Sequence, residues 1–235
     1  MNRLHTDLAP LHVSIHAGGF MGGIPEYNAA FASLLSSLTG AVIVLPSYRF
    51  APLHPFPAAI DDIDDVLAWL RSNASQRLGA DPSLLTISGF SAGANLALAA
   101  TQQQQEQKSD PTNIKAAVTF YAPIDLRLPP HEKPIPAGLP RANPISAILP
   151  LSDAYVASTG SDGRNVADAR LHPFLAELRT LPGRMLFVIP TLDILLHEQL
   201  VFVERLKKEA EEEGRERVVE SLIVEGQWHG WVECG

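Results

Sequence analysis

Cysteine is almost missing from this sequence: Cys234 is the only one in 235 residues. A lone thiol cannot close an internal disulfide, which excludes a disulfide-stapled scaffold and fits a reducing compartment, so a cytoplasmic location is expected. Cations are scarce as well. Lys and Arg number 18 against 26 Asp and Glu, leaving a net charge of −8 with histidine neutral. Binding nucleic acid needs clustered positive charge, so a nucleic-acid partner is not expected. Nor is there a window of roughly 18 to 20 consecutive apolar residues, which leaves no candidate membrane span. The first 20 residues lack the short apolar core and small-residue cleavage site of a secretory leader. The histidines do not fall at ligand spacing beside a carboxylate, as a zinc helix motif requires, so no metal or organic cofactor is implied. What the chain does have is core: 46% of it is hydrophobic, and its length suits a single domain spanning 1–235.

Apolar, β-rich runs alternate with helical patterns, and no internal repeat interrupts them. Segments 11–16, 40–49, 84–89, 115–123, 184–190 and 218–226 read as strands. The second holds the apolar run of a strand buried on both faces. Pro57 can open a helix, because a first-turn proline gives up no hydrogen bond. Ile60, Ile63, Leu67 and Leu70 then share one face at helical spacing. Asp61, Asp62, Asp64 and Asp65 crowd the first turns, where the helix dipole favours anions. They could hold a metal or form a solvated helix start, and a charged helix face is ordinarily the second. This alternation predicts an α/β fold, a mostly parallel twisted sheet with helices on both faces. Two segments break the rhythm. Residues 101–113 read as a polar helix end running into a loop, and 128–144 as a long proline-rich loop of a kind that is often functional. The charged run 207–217 reads as an exposed helix end.

Three distant segments carry chemistry. Gly89-Phe90-Ser91-Ala92-Gly93 follows a strand and opens a helix. In a G-x-S-x-G elbow the serine takes a strained conformation and the glycines let strand and helix approach, so that the hydroxyl projects from the top of the sheet. A purely structural strand-to-helix turn is the alternative. His16-Ala17-Gly18-Gly19-Phe20 follows the first strand. A tetrahedral intermediate needs N–H groups aimed at its oxyanion; Gly18 and Gly19 can supply two and Ala92 a third from the helix start. His16 reads as a structural histidine that fastens this loop. Gln227-Trp228-His229-Gly230-Trp231 places a histidine just past the last strand, at the carboxyl edge where open α/β sheets keep their sites. Asp193, after the strand 184–190, can orient its imidazole. The order Ser, Asp, His is the one used by α/β-hydrolases. Glu198 is a weaker candidate for the acid because it falls inside the helix that follows, and His54 and His197 read as loop and helix residues.

Together with SYRFAPLHPFPAAIDD, LGADPSLLTISGFSAGANLA, YAPIDL, ARLHPFLAELRTLP, TLDILLHEQLVFVERL and WHGW, the HAGGF segment resembles the hormone-sensitive-lipase-like family of α/β-hydrolases. That family includes microbial esterases and arylacetamide deacetylases. The resemblance implies an α/β-hydrolase fold and cleavage of small-molecule carboxylic esters through an acyl-enzyme. It implies Ser91 as nucleophile, His229 as base, Asp193 as acid, and Gly18, Gly19 and Ala92 as the oxyanion hole. The sequence departs from the family at Ala17 (a glycine of HGGG), at Phe90 (the acid of GDSAGG) and in DILLHE (for DPLRDE). Members also carry cap helices and two further strands before the glycine-rich segment and a helix after the histidine turn. A core without them leaves an unpaired sheet edge between Ala41 and Leu45, open to a second copy or another partner. The opposing expectation is a non-catalytic ligand-binding or interaction protein on the same fold, since fold does not fix function and the family includes a hormone receptor.

Overall fold

In a computed structural model of the chain, residues 8–104, 113–140, 152–156, 167–214 and 217–233 are described. Six strands form one sheet: β1 (Ala9–Ile15), β2 (Val42–Val44), β3 (Ala80–Phe90), β4 (Ala116–Phe120), β5 (Arg184–Leu192) and β6 (Val218–Trp228). They lie in the order β2-β1-β3-β4-β5-β6, and every neighbouring pair is parallel. A parallel pair cannot be closed by a tight hairpin, so each connection crosses over a face. Helix α1 (Ala29–Thr39) joins β1 to β2, α2 (Ala58–Arg77) joins β2 to β3, and α3 (Ala92–Gln104) follows β3. The short α4 (Ser152–Val156) lies between β4 and β5, and α5 (Leu196–Glu213) joins β5 to β6. The chain steps outward from β1 to β2, then returns past β1 and advances steadily from β3 to β6. Its direction reverses between β1 and β3, which opens a crevice at their carboxyl ends.

Strand alternation sorts the core. Val13, Ile87, Ala117 and Met185 are successive partners across β1, β3, β4 and β5, and all face the same way. With Leu11, Ile15, Phe187 and Ile189 they pack on α2, α3 and α5 in one cluster. The α2 positions spaced for one face, Ile60, Ile63, Leu67 and Leu70, are all fully buried in it. The opposite face carries His12, Ser14, Thr86, Ser88, Phe90 and Phe120 and lies under α1. Phe31 of that helix meets Phe90 and Phe120 edge-on at 5.2 and 5.6 Å. The Asn28 amide donates to Ser14 Oγ at 3.0 Å. His12 lies 2.8 Å from Thr86 Oγ1 and 2.9 Å from Ser88 Oγ. Burial pushes its pKa down to about 4, so the ring is neutral, with one nitrogen donating and the other accepting.

Three sequence expectations change. The strand read at 40–49 shrinks to Val42–Val44, and its side chains are half-buried rather than buried on both faces. The reason is its place: β2 is the sheet margin and pairs with β1 alone among the described residues. Next, β3 starts at Ala80, before the residue predicted, and the ladder to β1 restarts after a register shift between Pro10 and Leu11. Lastly, two of the four aspartates of α2 are tethers and not simply solvated. Asp62 accepts from the Arg49 backbone N–H at 2.7 Å and from its guanidinium at 2.9 Å, and Asp64 pairs with Arg170. Asp61 and Asp65 are exposed, and among the described residues no three or more His, Cys, Asp or Glu side chains are grouped so as to hold a metal ion. The polar stretch 101–113 continues α3 to Gln104, and 105–112 lie outside the described residues. Of the proline-rich segment, 128–140 are described and hold one short 3₁₀ turn, Pro130–Glu132, beside a buried Lys133. Among the described residues no helix is long and apolar enough to cross a membrane.

Candidate active site

Between the end of β3 at Phe90 and the start of α3 at Ala92 there is one residue in which to turn, and it is Ser91. Its φ is 49°, a left-handed conformation that costs a non-glycine residue roughly 1 to 3 kcal/mol. The turn is held by its N–H on Phe120 O at 3.0 Å and by its carbonyl, which accepts from the Ala94 N–H at 2.8 Å. The flanking glycines are steric necessities. A Cβ on Gly89 would stand 2.1 Å from the Gly93 carbonyl oxygen, and one on Gly93 would stand 2.3 Å from that of Ile15. So held, the Ser91 hydroxyl lies 2.7 Å from His229 Nε2.

The other ring nitrogen of His229, Nδ1, lies 2.8 Å from Asp193 Oδ2. Asp193 is fully buried, and its second oxygen accepts from the Leu195 N–H at 3.0 Å. A carboxylate facing Nδ1 keeps the proton there, which leaves Nε2 free to accept from the serine. Ser91, Asp193 and His229 each directly follow a strand, β3, β5 and β6 respectively, at the same edge of the sheet.

Across the β1–β3 crevice the chain turns through Ala17, Gly18 and Gly19. Gly18 and Gly19 have φ of 134° and 61°, and a Cβ on Gly18 would stand 2.0 Å from the Gly22 oxygen as the loop folds back. Ala92 is the first residue of α3, where helix N–H groups have no acceptor within the helix. His16 is buried and fastens the loop: its Nδ1 donates to Ala17 O at 2.6 Å, and its ring stacks on Tyr48 at 4.6 Å. Burial pushes its pKa down, so it serves as a neutral donor.

Two residues that the sequence reading left without a role stand at this site. Tyr121, just past β4 and at φ 41°, packs its ring 4.9 Å from that of His229 and donates its hydroxyl to Glu233 Oε2 at 3.2 Å. Burial pushes the Glu233 pKa up. YAPIDL had marked Tyr121 as part of a motif. Nothing in the pattern distinguished Glu233 from other carboxylates. Glu198 is occupied elsewhere: it accepts the N–H groups of Ile124 at 3.0 Å and Asp125 at 3.2 Å and pairs with Lys133. His54 and His197 are exposed. Phe90, where the family has an acid, stacks on Phe120 at 4.4 Å with the rings 6° from parallel.

The sequence model of a family described by the α/β hydrolase fold matches residues 12–233. The chain belongs to that family. Its α/β hydrolase fold is shared with the hyperthermophilic esterase from the archaeon Pyrobaculum calidifontis, which superposes with a TM-score of 0.77 at 28% identity, over 97% of this chain and 69% of that one. Carboxylesterase NlhH of Mycobacterium tuberculosis is 30% identical over 177 residues, covering 75% of this chain and 54% of that protein. Lipase 2 of Moraxella sp. (strain TA144) is 30% identical over 251 residues, covering 98% of this chain and 56% of that protein. Arylacetamide deacetylase of Oryctolagus cuniculus is 34% identical over 129 residues, covering 51% of this chain and 31% of that protein. These names agree with the hormone-sensitive-lipase-like branch that the motifs resemble. This α/β hydrolase fold chain spans about half the length of the first two of these curated relatives.

Proposed function

We propose that this chain is a serine hydrolase that cleaves small carboxylic esters through an acyl-enzyme. The observation that carries the reading is the unbroken line from the strained Ser91 hydroxyl through His229 to the buried Asp193. His229 Nε2 takes the Ser91 proton as Oγ bonds to the acyl carbon. Asp193 stabilises the imidazolium so formed. Negative charge gathers on the former carbonyl oxygen and is met by the N–H groups of Gly18, Gly19 and Ala92. A donor of this kind typically contributes about 3 to 4 kcal/mol to the transition state. The tetrahedral intermediate collapses, the C–O bond to the alcohol breaks, and Nε2–H protonates the leaving oxygen. Water then gives a proton to Nε2 as it attacks the acyl carbon, and Ser91 leaves with that proton, releasing the acid.

A fluorophosphonate probe and p-nitrophenyl esters test this. The wild-type chain is expected to take the label on Ser91 and to release p-nitrophenol with an initial burst, and Ser91→Ala is expected to do neither. Equal turnover by the variant would remove Ser91 from the reaction. An unreactive wild type would favour a non-catalytic binding protein.

A further inference from the structure

Strands β3 and β4 both end in phenylalanine, and Phe90 and Phe120 are register partners. Their side chains therefore leave the sheet on the same face, the one under α1. The two rings stack at 4.4 Å, 6° from parallel, and Phe31 of α1 meets them edge-on at 5.2 and 5.6 Å. Both are arrangements that aromatic rings prefer. The residue after each of the two phenylalanines is left-handed: Ser91 has a φ of 49° and Tyr121 a φ of 41°. One bond joins these turns, from the Ser91 N–H to Phe120 O at 3.0 Å. Such a conformation persists in a non-glycine residue only where the surroundings over-determine it. Here the ring pair and the backbone bond fix the two strand ends to each other.

These rings belong to a second apolar cluster, separate from the core that packs on α2, α3 and α5. Its buried members are Ala17, Phe90 and Tyr121, and each belongs to a different part of the proposed site. Ala17 stands in the loop that would bind the oxyanion. Phe90 immediately precedes the nucleophile. Tyr121 lays its ring 4.9 Å from that of His229 and 6.2 Å from that of Phe90. Trp231 and Val232, which follow His229 in its own loop, pack against the same cluster.

We propose that Phe90 is a positioning residue whose ring, stacked on Phe120 and met edge-on by Phe31, holds the Ser91 turn in register with the loops of the base and the oxyanion donors. The inference rests on the ester-hydrolase reading. A phenylalanine side chain neither donates nor accepts a hydrogen bond, so it acts through shape alone. Phe90 is 1% exposed, and a close-packed interior transmits the loss of such a ring to its neighbours. The nearest of them in the chain is Ser91.

The test compares Phe90→Ala and Phe90→Leu with the wild type in turnover of a p-nitrophenyl ester and in the rate of fluorophosphonate labelling of Ser91. Leu67→Ala, in the other cluster, is the control for a general loss of stability. A small misplacement of a reacting group costs up to about 100-fold, so Phe90→Ala is expected to lower kcat about 10- to 100-fold with KM within about twofold. The labelling rate should fall in step with kcat. Phe90→Leu keeps apolar bulk but gives up the stacking, and is expected to recover part of the loss. It carries the test where the alanine variant does not fold. Leu67→Ala should lower the urea midpoint and leave the labelling rate near wild type. Wild-type kcat and labelling rate in folded Phe90→Ala, or in Phe90→Leu where only that variant folds, would overturn the role of Phe90 alone. So would a Leu67→Ala variant that slows labelling as much. A wild-type chain that takes no label on Ser91 would overturn the hydrolase reading, and this inference with it.

Discussion

Leu192 and Trp228 are partners in the β5–β6 ladder, so the residues that follow them, Asp193 and His229, leave neighbouring strands side by side. The contact between carboxylate and imidazole is thus built into strand register and does not depend on a long reach by either side chain. Their separation of 36 residues in sequence is bridged by α5, which crosses one face and returns the chain to the same edge.

Asp193→Asn should leave the fold in place and nearly silence the site. The amide can present an N–H to Nδ1 and reverse the tautomer, so that Nε2 carries a proton and cannot take one from Ser91. A loss of about 10⁴-fold in kcat is expected. Turnover of a p-nitrophenyl ester, with circular dichroism as the folding control, checks it; a variant with a tenth of the wild-type rate would remove Asp193 from the proposed role.

Gly93→Ala should fail for a different reason. Its new methyl group would meet backbone oxygens of Ile15 and His16 at 2.3 and 2.5 Å, and backbone cannot swing aside as a flexible side chain can. Overpacking of this kind costs about 1 to 3 kcal/mol, and the shift should carry Ser91 away from His229. Gly22→Ala is the control, since nothing stands within 4 Å of the added atom. Urea midpoints and the Ser91 labelling rate should change for the first variant and stay near wild type for the second.

In the core, Leu67→Ala should cost about 2 to 5 kcal/mol, because Leu67 is fully buried between α2 and the sheet and its neighbours can close the gap only in part. Leu38→Ala, at an exposed position on α1, should stay within about 0.5 kcal/mol. Equal losses in denaturant unfolding would mean that α1 is covered in solution.

Acid should weaken the fold through His12. Its folded pKa of about 4 lies below the ordinary 6.5, so between those values the unfolded chain binds the proton more readily. The contribution of neutral His12 is therefore fully present above about pH 6.5 and is lost as pH falls toward 4. His12→Gln should be less stable at pH 7 but should show a shallower decline in urea midpoint between pH 7 and 4.5. Identical slopes for the two proteins would refute this.

The positions of strands and helices were readable because their signals are local. The α2 face follows from helical spacing, and Gly89 from the Gly93 carbonyl that its Cβ would strike within the same turn, whereas the need for glycine at 93 comes from Ile15 on β1, distant in sequence. The order of Ser91, Asp193 and His229 could also be read along the chain. Partners that meet across long separations could not. Asp62 finds Arg49 and Asp64 finds Arg170 through packing that no helical pattern encodes. A run of apolar residues at 40–49 looks like a central strand, but only the order of the sheet decides that β2 is its margin and is therefore short and half-buried.

The sequence by itself determined that strands and helices alternate, that one serine sits between two glycines where a strand gives way to a helix, and that a carboxylate and a histidine follow later strands. Tertiary structure alone decided that these groups lie within hydrogen-bond reach, and that Tyr121 and Glu233 join them. The physical reason is range. Side-chain periodicity and turn geometry act over a few residues, whereas strand order and register set which strand ends, tens to more than a hundred residues apart, stand together.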